Sequence, residues 1–248
     1  MLQYVANFYV TNMRHSPIYG ELVAKKKEPS VNRAKKLENS ISSGRKIFRL
    51  GLWLYEIPMM GTLIKDKKMN PFLKFFKLIS TVCSFFYYLT DNIVWLAGIG
   101  YMDAKIFNVK WKQIKNQISL VKTVLEVFIS LYTVYLKKIE EKRIRQKMME
   151  YIENKVEVGK EWYVLMVNLI LLRRETRFNV LEFFIYVARF LMLTSSLKLI
   201  GHSALHPIFV STCGLFQASA QVFKNIKGKN NFTMLTIADK MANSSQGK

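Results

Sequence analysis

Leu78-Ile-Ser-Thr-Val-Cys-Ser-Phe-Phe-Tyr-Tyr-Leu-Thr-Asp91-Asn-Ile-Val-Trp-Leu-Ala-Gly-Ile-Gly100 decides the fold. It is apolar and aromatic, relieved only by small hydroxyl residues and by the pair Asp91-Asn92. The apolar segment as a whole runs from Phe72 to Met102, and Lys74 and Lys77 interrupt only its first turns. Crossing a bilayer takes about 20 apolar residues in a helix, so the segment is long enough. A carboxylate in hydrocarbon is costly, however, and Asp91 lies near the middle. Two readings follow: a bent hairpin embedded in the interface, or a spanning helix with Asp91 buried against a partner.

Upstream, the spacing predicts a helix from Arg33 to about Ile57. Leu37, Ile41, Gly44, Phe48, Leu52 and Tyr55 recur at intervals of three and four and share one face. Lys35, Arg45, Lys46 and Arg49 gather on a neighbouring polar face, and Pro58 is expected to bend or end the helix. A basic amphipathic helix of this kind either packs on a soluble core or lies among lipid headgroups. In the second case Lys35, Arg45, Lys46 and Arg49 reach anionic lipid while Phe48 and Leu52 enter the leaflet.

Downstream, Trp111 to Lys138 reads as an amphipathic helix, with Lys115, Lys122 and Glu126 off its apolar stripe. Lys137 to Lys160 is densely charged and reads as solvated helix. Glu161 to Leu172 is apolar but too short to span. Val180 to Ile200 carries Glu182 and Arg189 seven residues apart, on one helix face. Ser203 to Phe223 has His206 as its only titratable group and is the expected transmembrane helix. Within it, Gly214 and Ala218 form a small-xxx-small pair for close helix packing. Lys224, Lys227 and Lys229 follow, which by the positive-inside rule places the tail in the cytosol. The expected divisions are 1–58, an N-terminal region with the basic helix; 59–202, helical and membrane-associated; 203–223, the span; and 224–248, a basic tail.

Together these segments predict an all-α helical membrane protein with amphipathic interfacial helices and one or two transmembrane helices. Composition agrees. Of 248 residues 50% are hydrophobic, and 38 Lys and Arg against 17 Asp and Glu leave a net charge of +21. That excess calls for an anionic partner. The long apolar aromatic runs favour an anionic lipid membrane over nucleic acid. Cys83 and Cys213 sit in apolar stretches and read as buried small hydrophobes. The sequence holds no phosphate-cradling loop, nucleophile elbow or zinc-binding His-Glu motif. His202 and His206 are four apart without a third ligand nearby. No enzyme activity, cofactor or metal is therefore expected. Charged residues within apolar helices (Asp91, Glu182, Arg189) leave open a solute channel as a second class, and a soluble basic nucleic-acid binder is a third.

Two motifs carry a family resemblance. Ser43-Gly-Arg-Lys-Ile-Phe-Arg-Leu-Gly51 resembles the Ser-x-Arg-Lys-hydrophobic-Phe-Arg-Leu-Gly signature of the peroxins that proliferate peroxisomes, the peroxisomal biogenesis factor 11 family. Asp91-Asn-Ile-Val-Trp-Leu-Ala-Gly-Ile-Gly100 is similar to that family's Asp-x-hydrophobic-hydrophobic-Trp-Leu segment, with Asp91, Trp95 and Gly100 as its fixed points. The final apolar helix and basic tail also fit, so the resemblance covers the chain from about residue 33. The N-terminus departs from the family pattern, beginning at Leu2-Gln3-Tyr4 where a further amphipathic helix is usual. The resemblance implies a non-enzymatic protein of the peroxisomal membrane, or of a related organelle such as the glycosome. It implies insertion of amphipathic helices, self-association into a homo-oligomer, and recruitment of the fission machinery, an adaptor and a dynamin-like GTPase.

Overall fold

The computed structural model describes residues 2–15, 29–67, 69–102, 109–153, 160–197 and 205–244, with side chains over 2–12, 33–67, 69–102, 111–153, 161–197 and 205–227. All regular structure among them is helical: α1 (Leu2–His15), α2 (Pro29–Ile47), α3 (Leu52–Lys65), α4 (Pro71–Gly98), α5 (Val109–Glu153), α6 (Lys160–Ser196) and α7 (Pro207–Ser244). Asn70 opens α4, its side-chain oxygen accepting from the Phe72 amide at 3.0 Å, with Pro71 in the first helical position. Gly100 closes it at φ +80. The Tyr101 amide donates back to Leu96 and the Gly100 amide to Ala97, at 3.0 and 3.2 Å, which is the glycine-dependent Schellman ending.

Neighbours in sequence are neighbours in space. α3 packs on α4, α4 on α5, α5 on α6, and α6 on α7. α1 then lies between α7 and α2, and α2 touches α4, which closes the circuit. The α5–α6 pairing is antiparallel: Glu126 meets Arg189, Ser130 donates to the Asn179 carbonyl, and Glu141 meets Arg173. At about 1.5 Å per residue α5 is about 67 Å long, more than twice a hydrocarbon core.

The packing is that of a molecule with an apolar outside. Ser80, Ser84, Thr90, Thr123, Ser130, Thr176 and Thr194 are buried, whereas Phe75, Phe86, Val121, Phe128, Leu131, Val180 and Phe184 are exposed. Ser84, Thr90, Thr123, Thr176 and Thr194 donate within their own helices, as when Thr123 donates to Ser119 at 2.7 Å and Thr176 to Leu172 at 2.8 Å, while Ser130 donates across to α6. Small and hydroxyl residues let helices approach closely where water gives no hydrophobic drive, so large apolar side chains are left for lipid. Among the described residues three helices are long and apolar enough to cross a membrane: 71–98, 111–153 and 161–196. Only 17%, 11% and 17% of their apolar windows is buried within the molecule, so most of that surface faces outward. The pair Arg33–Ile47 and Leu52–Lys65, bent by 50°, makes a fourth if counted as one span.

The span at 71–98 falls on the segment read as a possible spanning helix, and the other spans do not follow the sequence reading. The stretch 203–223 does not pass among the described residues. Its helix starts only at Pro207, and Gln217 and Gln221 lower its hydropathy. The segment from Trp111, expected to be amphipathic rather than a clean span, passes because Lys122 and Glu126 are its only charges between Lys115 and Lys137. Glu161–Leu172 is not a separate short helix but the first third of α6. The helix expected over 33–57 breaks at 48–51, and Pro58 lies inside α3 rather than ending it.

Gly214 marks a close approach between helices. A Cβ there would sit 2.8 Å from the Tyr4 ring of α1 and 3.2 Å from Met192 Sδ of α6. Gly214 and the buried Ala218 are thus engaged within the chain. Replacing Gly214 by Val is expected to cost about 2 kcal/mol through overpacking. Adding Tyr4→Ala should recover much of that loss, read as thermal unfolding of the detergent-solubilised protein.

Candidate functional site

Between α2 and α3 the backbone turns at Phe48-Arg49-Leu50-Gly51. Gly51 adopts φ +77, a left-handed conformation that costs about 1–2 kcal/mol for residues with a Cβ. The turn tightens through i−3 bonds: Arg49 to Lys46, Leu50 to Ile47, and Leu52 to Arg49. It throws Phe48 outward, 86% exposed, and Arg49 inward. Arg49 Nη1 then lies 3.5 Å from Asp91 Oδ2, while Lys115 Nζ of α5 donates to Asp91 Oδ1 at 3.0 Å. The Asp91 side chain is 3% exposed. The second of the two alternatives for Asp91 is therefore the one observed: it is buried against partners, inside an unbroken α4.

This triad joins the two motifs. Arg49 belongs to the first and Asp91 to the second, 42 residues apart in sequence. Gly51 and Gly100, the terminal glycines of the two motifs, are the positive-φ glycines among the described residues. Trp95 is half-buried on α4, its carbonyl accepting from the Ile99 amide at 3.1 Å.

A second polar layer lies deeper in the bundle. Glu126 accepts from Lys122 at 3.5 Å and from Arg189 at 3.4 Å. Glu56 of α3 is within electrostatic reach of Lys122 and Glu126. The Gln217 amide, turned with its oxygen towards α6, accepts from Arg189 Nη2 and Nε at 3.1 and 3.2 Å. Glu182 instead pairs with Lys224 of α7, whose amine burial holds below the usual lysine range. Glu182 and Arg189 share a helix face, as their spacing predicts, yet each serves a different neighbour. All three charges expected to line a solute path are thus paired across helices.

The proposed lipid-contacting residues divide in two. Lys35 and Phe48 are exposed, Leu52 lies at the margin of exposure, and Lys46 is half-buried. Arg45 and Arg49 turn inward. Arg45 donates to Gln3 and lies 5.9 Å over the Tyr4 ring of α1, and Arg49 meets Asp91. Two turns earlier on the same face of α2, Glu38 accepts from Asn7 at 2.8 Å, and Asn7 in turn accepts from Ser211 of α7 at 2.9 Å. Lys115 is the residue that sequence reasoning left aside. Its signal was a position off the apolar stripe of its own helix. Among the described residues no group of three or more His, Cys, Asp or Glu is placed to hold a metal ion. His202 lies outside the described residues.

A family model described as peroxisomal biogenesis factor 11 matches residues 1–226. The match begins well before residue 33 and includes the N-terminal stretch where the sequence departs from the usual motif. No curated protein and no solved structure matches the chain.

The triad predicts unequal costs. Arg49→Gln leaves Asp91 paired with Lys115 and is expected to cost no more than about 1 kcal/mol, as for a partly exposed pair. Asp91→Asn strands two cations and is expected to cost about 3 kcal/mol. Thermal unfolding of both variants in the same detergent gives the comparison.

Proposed function

We propose, because the chain belongs to the peroxisomal biogenesis factor 11 family, that it elongates and divides peroxisomes by inserting the bent α2–α3 pair into one leaflet of their membrane. The family sets the broader frame: the chain is a helical membrane protein with a role in peroxisome biogenesis and proliferation, associated with the peroxisomal membrane. The observation that carries the finer reading is the surface of the bend. Ile47, Phe48, Leu50, Leu52, Leu54, Tyr55 and Ile57 are all exposed, and α3 buries no residue at all.

An apolar surface of this kind is stable only in lipid or against another protein. Inserted at headgroup depth, it expands the leaflet it enters, and an expanded leaflet favours curvature. Lys35 and Lys46 add attraction to anionic lipid of about 1 kcal/mol each, which salt reduces. The 50° bend is compatible with α2 lying along the interface while α3 descends beside α4. Self-association, recruitment of an adaptor and a dynamin-like GTPase, and a cytosolic tail complete the proposal. They come from the resemblance and from the charge at Lys224 and Lys227.

The test uses the full chain reconstituted in vesicles containing anionic lipid. The parent protein is expected to tubulate them. Phe48→Glu with Leu54→Glu should reduce tubulation at least about tenfold, since charges on the apolar face oppose insertion. Tubulation by that variant at the parent level would sink the wedge.

A further inference from the structure

The triad at the bend holds one cation more than its carboxylate neutralises. Asp91 carries a single negative charge, and Arg49 and Lys115 both point at it. The deeper layer is different. There Lys122 faces both Glu126 and Glu56, and Arg189 faces Glu126 with the Gln217 oxygen as a further acceptor. Among the described residues, Arg49 and Lys115 have no acceptor other than Asp91.

The geometry leaves both cations with unused donors. Arg49 reaches Asp91 through Nη1 alone, near the limit of a hydrogen bond, while a guanidinium carries five N–H groups. Lys115 uses one of three. Their side chains are 29% and 15% exposed, so they are reachable without being freely solvated. Tyr87 and Tyr88 of α4 lie within electrostatic reach of the Arg49 guanidinium. Lys115 stands one turn before the mainly apolar run Ile118–Leu136, so a bilayer set on that run would put the triad near its headgroup edge.

We infer that Arg49 and Lys115 form a binding site for a phosphate oxyanion, presented by an anionic phospholipid headgroup or as free phosphate. A guanidinium and an ammonium flanking one carboxylate suit a phosphate, the first as a planar fork and the second as a point charge. Asp91 preassembles the two cations and also competes with the ligand. Phosphate entering the site takes Arg49 from Asp91, while Lys115 keeps the buried carboxylate neutral. The site stands on this cluster of charges. It does not depend on the wedge, which rests on the exposed apolar face of the bend.

The sign of one substitution separates a binding site from a merely structural ion pair. The full-length protein, in uncharged detergent, is titrated with inorganic phosphate and separately with short-chain phosphatidic acid. Arg49→Gln and Lys115→Gln are expected to weaken binding about tenfold each, as loss of one charge-assisted bond implies. Lys35→Gln, on the exposed side of α2, should leave it unchanged. Asp91→Asn should tighten binding several-fold although it destabilises the fold, because it removes the competing acceptor. Tighter binding of phosphatidic acid than of phosphate identifies a lipid site, and equal binding a site for the free ion; either supports the assignment. Parent-level affinity in both Arg49→Gln and Lys115→Gln overturns it, as does weaker binding in folded Asp91→Asn. Should Asp91→Asn not fold, the two cation variants decide alone.

Discussion

A carboxylate buried in an otherwise apolar helix must be neutralised, and the way Asp91 is neutralised sets the arrangement around it. Asp91 is 2% exposed. Its two cations come from different elements, Lys115 from α5 and Arg49 from the turn between α2 and α3. Satisfying one residue therefore fixes α4 against α5 and draws the α2–α3 turn onto both. The left-handed Gly51 allows the chain to make that turn. Once Arg49 faces inward, Phe48 beside it must face outward, and the exposed apolar ridge follows from the same bend.

The same logic recurs through the bundle. Several charges are met from a neighbouring helix: Glu126 by Arg189, Glu182 by Lys224, and Glu141 by Arg173. Ion pairs of this kind add little net stability, because desolvation offsets the attraction. They do fix register, since a shift of one turn would strand a charge in hydrocarbon. Close packing of small residues supplies the adhesion, as where the Tyr4 ring lies against Gly214. The chain thus orders its helices by polar contacts inside and leaves its large apolar side chains outside.

The helical membrane character was legible from apolar lengths and from periodicity. The family was legible from the two motifs around Arg49 and Asp91. Which helices span was not. Window hydropathy depends on where a helix starts and where its polar residues fall. Pro207, Gln217 and Gln221 reduced the most uncharged stretch, while Lys122 and Glu126 are the only two charges in the long stretch 116–136 of α5. The partner of Asp91 was hidden for a simpler reason. Arg49 is 42 residues away and Lys115 is 24, and no local pattern reports a pairing at that range. Arg45 was read from its own helix alone, and its donation to Gln3 and its place over the Tyr4 ring of α1 are contacts that no local pattern reports.

The central claim is that opposite charges at one point, rather than the particular side chains, hold the bend to the spans. Reversing every sign at that point tests it most directly. In lipid nanodiscs, Asp91→Lys alone gathers three cations and should lower the unfolding temperature sharply. Adding Arg49→Glu and Lys115→Glu restores opposite charges in the same places, and the account predicts that most of the lost stability returns. A triple variant no more stable than Asp91→Lys would contradict it.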